Sequence, residues 1–215
     1  MKKLIIIRHG EFDRRGLRVD DIDRILDWRG RYQVSEMAAR LASLEIKPDL
    51  IVSSPARRAV ETAEACAEKL GVPSESIRVD EAVYEAERVE LLRFVQAWDD
   101  TDETIVLCGH HPGITDLLHH LVDSDIETLP MGAFAVVGLS AETWRTVSFK
   151  QGELLEYAAP TEKEIRHGWW WRFTFWRRQK VHKIELFAFF LIGLLLVLAV
   201  VALIVMSSAD PASAW

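Results

Sequence analysis

Three short runs in this chain are apolar at every position. Residues 4–7 (LIII), 50–52 (LIV) and 105–107 (IVL) show no alternation of apolar and polar side chains. A strand with one wet face alternates with period two. A run that is apolar on both faces reads instead as a strand covered by helices on either side, the situation in parallel sheets. Each run also ends abruptly in polar residues: Arg8-His9-Gly10, Ser53-Ser54, and Gly109-His110-His111. Open α/β sheets bind ligands at the carboxyl ends of their strands. The three runs therefore deliver arginine, serine and histidine to a common rim.

The segments between them carry helical periodicity. Residues 33–44 (QVSEMAARLASL) place Val34, Met37, Ala38, Leu41 and Leu44 on one face. Residues 12–31 before them are dense in charge, with Gly16 and Gly30 as breakers, and read as a long loop with one turn of helix. Residues 55–70 predict a second helix, with Ser53 or Ser54 as its cap, Pro55 in its first turn, and Gly71 and Pro73 at its end. Residues 75–83 predict a short strand and a loop, and residues 88–98 and 114–122 two more helices. Residues 133–139, 144–150 and 154–159 predict three short strands closing the domain as a meander. The expected fold is α/β: three layers, with a mixed, mostly parallel sheet flanked by helices, over residues 1–160.

Residues 186–206 (LFAFFLIGLLLVLAVVALIVM) hold no charged side chain. At about 1.5 Å per residue such a helix crosses a hydrocarbon core of about 30 Å. We expect a single C-terminal transmembrane helix there. A basic, Trp-rich juxtamembrane segment precedes it at 161–185, and a short tail follows at 207–215. Arg166, Arg172, Arg177, Arg178, Lys180 and Lys183 lie before the apolar run and no base lies after it, while Trp169, Trp170, Trp171 and Trp176 suit a headgroup interface. This asymmetry predicts a single-pass protein of the cell inner membrane with residues 1–160 facing the cytoplasm. The N-terminal residues are too short an apolar stretch for a secretory signal.

Charge divides along the same line. The chain has 26 Lys+Arg and 33 Asp+Glu; residues 166–215 hold six of the bases and two of the acids, leaving 20 bases against 31 acids before them. An acidic front domain argues against nucleic acid as a partner. Arginine and histidine gathered at one rim of such a domain point to a small anionic ligand instead, since convergent Arg, His and a helix N-terminus suit a phosphoryl dianion. Cys66 and Cys108 each fall inside an apolar element without metal-ligand spacing, so buried free thiols are expected. No His/Asp/Glu cluster has metal spacing, and neither metal nor cofactor is expected. His119 and His120 read as part of a solvated helix face.

The segments RHGE (8–11), SSPARRAVETAE (53–64) and GHHPG (109–113) resemble, in this order and spacing, the histidine phosphatase superfamily of phosphoglycerate-mutase-like enzymes. DDIDRILDWRG (20–30) and EAVYEAERVELL (81–92) are most similar to the small SixA-type phosphohistidine phosphatases. The resemblance covers roughly residues 1–160. It implies that His9 is a nucleophile that becomes phosphorylated, that Arg8 and Arg58 bind phosphate, and that His110 is the second catalytic histidine. It leaves Arg57 as a rim residue. Position 111 is commonly asparagine in the family, so His111 departs from the pattern. Larger members use a glutamate to protonate the leaving group; Glu85 and Glu81 lie in the corresponding loop, with Glu85 the candidate acid.

The chemistry implied is a two-step phosphoryl transfer. A neutral imidazole at His9 attacks phosphorus, Arg8, Arg58 and a protonated His110 hold the equatorial oxygens, and water hydrolyses the phosphoenzyme. Three functions are compatible with the sequence. The leading one is a membrane-anchored protein phosphohistidine phosphatase. The others are a phosphomonoesterase acting on a small metabolite or lipid headgroup, and an inactive membrane-tethered phospho-ligand binding module. The intact nucleophile position speaks against the last.

Overall fold

The computed structural model describes residues 1–13 and 19–161. Its six-stranded sheet runs in the order β3-β2-β4-β1-β5-β6, made from β1 (Lys2–Arg8), β2 (Leu50–Ser53), β3 (Ile77–Val79), β4 (Thr104–Gly109), β5 (Phe134–Leu139) and β6 (Gly152–Ala158). The first four are mutually parallel, and β5 and β6 are antiparallel to their neighbours. β1 sits between β4 and β5, with Ile5 opposite Val106 on one side and Val136 on the other.

Alternate residues of the central strands feed two separate cores. Leu4, Ile6, Val52, Ile105 and Leu107 face α3 (Arg88–Gln96) and α4 (Gly113–Leu121). Ile5, Ile7, Ile51, Val106 and Cys108 face α1 (Trp28–Ser43) and α2 (Arg57–Leu70). The unbroken apolar runs are thus explained by burial on both faces, and the result is a three-layer, mixed α/β fold. Both cysteines are buried and free; burial pushes the Cys66 thiol up to about 12, so neither is poised as a thiolate.

Three local expectations are corrected. α1 begins at Trp28, five residues before the periodicity signalled, because the Asp27 carboxylate accepts from the Gly30 amide and caps it. Gly30 is a contact residue there and not a breaker: a Cβ at this position would lie 1.9 Å from the Glu11 carbonyl oxygen. The closing meander has two strands and not three. Residues 144–146 form a 3-10 turn whose Trp144 is wholly buried; its indole N–H donates to the Asp102 carbonyl and its backbone N–H to Asp100 Oδ1. Finally, neither serine caps α2. The cap position is Ala56, Pro55 lies before the helix, and the Ser54 hydroxyl meets the Ala56 amide and His110 without reaching an amide inside the helix.

Residues 162–215, with the expected juxtamembrane segment and transmembrane helix, lie outside the described residues, as do residues 14–18. Among the described residues no helix is long and apolar enough to cross a membrane.

Candidate active site

The ends of β1 and β4, the start of α2 and the loop before α3 meet at a cavity of about 750 Å³. Arg8, His9, Arg58, Glu85, His110 and His111 all line it. The convergence follows from topology. β1 and β4 are adjacent and parallel in the middle of the sheet, so Arg8 stands opposite Gly109, and the residues after each strand leave at the same edge.

His9 is 5 % exposed and its Nδ1 lies 2.8 Å from the Gly10 carbonyl oxygen. A carbonyl can only accept, so the proton is assigned to Nδ1 and the lone pair to Nε2. Burial holds the ring neutral, lowering its pKa from 6.5 to about 3, and the nearby His110, Arg58 and Arg8 act in the same direction. The backbone beyond it is fixed by Thr62, whose hydroxyl accepts from the Gly10 amide and donates to the Arg58 carbonyl.

The His110 ring centroid is 5.0 Å from that of His9. Its Nε2 is 2.7 Å from Ser54 Oγ, which also accepts from the Ala56 amide. We assign the serine's proton to the hydrogen bond with Nε2, because Ser54 Oγ has no other acceptor among the described residues, and the histidine's proton accordingly to Nδ1. That Nδ1 is buried and has no hydrogen-bond partner among the described residues. Burial lowers the His110 pKa to about 4; Arg58 and Arg8 lower it too, while Asp21 opposes them. Burial thus favours the neutral form of the ring, with one N–H to offer. A phosphoryl dianion could accept from it directly, and its charge would favour the imidazolium once bound.

The arginines differ in how they are held. Arg8 Nη1 donates to the Leu129 carbonyl at 2.8 Å. Arg58 is 5 % exposed at the start of α2 and stacks over Phe12 at 4.8 Å. It donates to both the carbonyl and, at 2.7 Å, the carboxylate of Asp21. Tyr84 Oη donates to the same carboxylate at 3.2 Å. Arg57 points the other way, is exposed and lines a separate surface depression.

Of the two candidate acids, Glu85 is on the cavity wall and Glu81 is not. Glu85 is exposed and takes a left-handed backbone (φ 50°), which a non-glycine residue adopts only at some cost. Its loop is pinned from behind, since a Cβ at Gly113 would come within 2.0 Å of the Ala86 carbonyl oxygen. His111 lies exposed at the rim, its Nδ1 3.1 Å from Thr115 Oγ1. His119 and His120 are more engaged than a solvated face would have them: His119 Nε2–H donates to the Ile126 carbonyl, and His120 Nδ1 accepts from Arg88. Among the described residues no three His, Cys, Asp or Glu side chains group to hold a metal ion.

Asp21, Tyr84, Ser54 and Thr62 escaped the sequence reading as site residues. All four lie within segments that carry the resemblance (20–30, 53–64 and 81–92), but nothing local marked these residues out from their neighbours, Asp21 being one acid among several in a charged loop.

No curated protein sequence matches the chain. Among solved structures, the Agrobacterium tumefaciens protein assigned as phosphohistidine phosphatase SixA is 22 % identical with a TM-score of 0.64, over 74 % of this chain and 98 % of its own. A Nakamurella multipartitia protein with the same assignment is 23 % identical with a TM-score of 0.65, over 74 % and 96 %. The protein histidine phosphatase SixA complexed with tungstate is 23 % identical with a TM-score of 0.61, over 74 % and 97 %. At these identities the likeness speaks for the fold. Residues 4–91, which span His9, Arg58 and Glu85, match the family model of the histidine phosphatase superfamily (branch 1). Over that segment the chain is thus similar to the histidine phosphatase superfamily, and the solved structures share its fold.

Proposed function

We infer that this protein is a phosphatase working through a phosphorylated His9, with protein-borne phosphohistidine as its preferred substrate. The observation that carries the reading is the His9 tautomer: Nδ1 is occupied by the Gly10 carbonyl and burial keeps the ring neutral, leaving a lone pair on Nε2. In the first step Nε2 attacks phosphorus in line, the bond to the leaving group breaks, and the leaving group takes a proton from solvent water or, for an ester, from Glu85. Arg8, Arg58 and the Nδ1–H of His110 would hold the phosphoryl oxygens as their charge redistributes. In the second step water attacks phosphorus, the P–Nε2 bond breaks, and inorganic phosphate leaves with His9 restored.

Two considerations favour phosphohistidine over an ester. An imidazole leaving group departs with less protonation assistance than an alkoxide, and the acid candidate Glu85 is exposed to solvent and not enclosed beside His9. A second reading, a phosphomonoesterase, draws its support from the position of Glu85 on the cavity wall. The test is turnover by the full-length chain on phosphohistidine peptides and phosphate esters, with acid and base quenches. An acid-labile, base-stable phosphoenzyme and preference for the peptides are expected, with activity surviving EDTA. Ester preference abolished by Glu85→Gln would establish the second reading, and absence of any phosphoenzyme would sink both.

Membrane anchoring by residues 186–206, with the phosphatase domain on the cytoplasmic side, belongs to the same proposal and rests on the charge and hydropathy of the sequence. Such a tether would confine the enzyme to substrates near the bilayer. Full-length protein should resist carbonate extraction, while a chain lacking residues 166–215 should wash off; extraction of both would remove the anchor from the proposal.

A further inference from the structure

Asp21 is the residue of the cavity that neither the sequence pattern nor the two-step chemistry accounts for. It lies on a 3-10 turn (Asp21–Asp23) far from Arg58 in sequence, yet takes up two of that guanidinium's five N–H groups. A carboxylate beside an anion site would ordinarily weaken binding by repulsion. Here its charge is engaged. Burial works against the ionised form, but the hydrogen bond and charge of Arg58, together with the Tyr84 hydroxyl and Arg24, hold the Asp21 carboxyl below the ordinary range. Among the described residues the guanidinium is further constrained by its stack on Phe12. Its Nε is buried and has no hydrogen-bond partner among the described residues.

We propose that Asp21 is a positioning residue for the phosphoryl site: with Tyr84 behind it, it clamps two edges of the Arg58 guanidinium so that the remaining N–H groups face the anion. The proposal rests on the reading that Arg58 binds the phosphoryl group. A planar guanidinium with five donors recognises a phosphate well only when its plane is fixed. Phe12 fixes the tilt, and Asp21 fixes the rotation within that plane. Tyr84 in turn orients Asp21, and its ring packs edge-on to His110 at 5.6 Å, so one tyrosine touches both halves of the site.

The test is a double-mutant cycle in the full-length chain, read by the Kd of orthovanadate and by kcat/KM. Asp21→Asn should weaken vanadate about tenfold and Tyr84→Phe about threefold, the scale of one charge-assisted and one neutral hydrogen bond. Asp21→Glu should recover part of the loss. In an Arg58→Ala background both substitutions should be silent, because the group they act through is gone. If Asp21→Asn or Tyr84→Phe weakens vanadate equally with and without Arg58, their role is structural and the inference fails. If Asp21→Asn tightens vanadate, the carboxylate competes with the anion and the inference fails in the opposite sense. If Arg58→Ala itself leaves vanadate binding unchanged, the phosphoryl-site reading fails and the inference with it.

Discussion

A buried cation lies beside each end of β1, Lys2 at the first and Arg58 at the other, and the two are handled in opposite ways. At the first end Lys2, 1 % exposed, gives its three ammonium protons to the carbonyls of Asp100 and Asp102 and to the Glu103 carboxylate, and lies over the Trp144 ring. Every donor is answered by the protein. At the other end, among the described residues, Arg58 Nε and His110 Nδ1 have no hydrogen-bond partner. A buried polar group without a partner costs stability and needs an explanation. The contrast teaches that a buried cation is not in itself a sign of function. What distinguishes the second end is an incomplete set of acceptors around an open cavity, the arrangement that an anion would complete.

Substitutions at the two ends should separate activity from stability. The largest effect is expected from His9→Ala, which removes the proposed nucleophile: turnover and phosphoenzyme should fall by about three orders of magnitude or more, with the thermal midpoint little changed. Undiminished turnover would end the covalent mechanism. Lys2→Met should do the reverse. It strands the Asp100 carbonyl and takes one of two partners from the Asp102 carbonyl and from the Glu103 carboxylate, so a loss of about 2 kcal/mol in urea denaturation is expected with kcat/KM unchanged. A catalytic defect there would break the comparison.

Acid should sharpen it further. In the unfolded chain His9 and His110 protonate near 6.5, and in the folded chain near about 3 and about 4. Between those values the unfolded state binds more protons, so stability falls as pH drops from 6.5 and levels off below the folded values. On the order of 2 kcal/mol per histidine should be lost between pH 7 and 4.5. The loss should shrink by about half in a His9→Asn variant, and an unchanged slope would show that burial does not hold the ring neutral. The smallest contrast is between neighbours. Arg58→Ala should weaken vanadate by tenfold or more, and Arg57→Ala, exposed and outside the cavity, by less than about twofold. Equal effects would mean that the wrong arginine faces the anion.

The apolar runs at residues 4–7, 50–52 and 105–107 determined the central strands, because burial on both faces is written in consecutive residues and needs no knowledge of the partner. The same local reading placed Arg8, His9 and His110 at strand ends, and the parallel pairing of β1 with β4 then made their meeting a consequence of topology. Helix starts were read less well. The α1 terminus depends on how closely Gly30 can approach Glu11, and the absence of a strand at 144–146 depends on where Trp144 finds its hydrogen-bond acceptors.

Only the tertiary structure decided the polar pairs that tune the site. Asp21 reaches Arg58, Ser54 reaches His110 and Tyr84 reaches Asp21 across separations of 37, 56 and 63 residues. Hydrophobic pattern is a short-range property that repeats every two or 3.6 residues, so a sequence displays it openly. A hydrogen bond between distant side chains depends on the path by which the chain returns. Nothing in the residues around Asp21 distinguishes it from the other acids of its loop until the fold brings Arg58 to it.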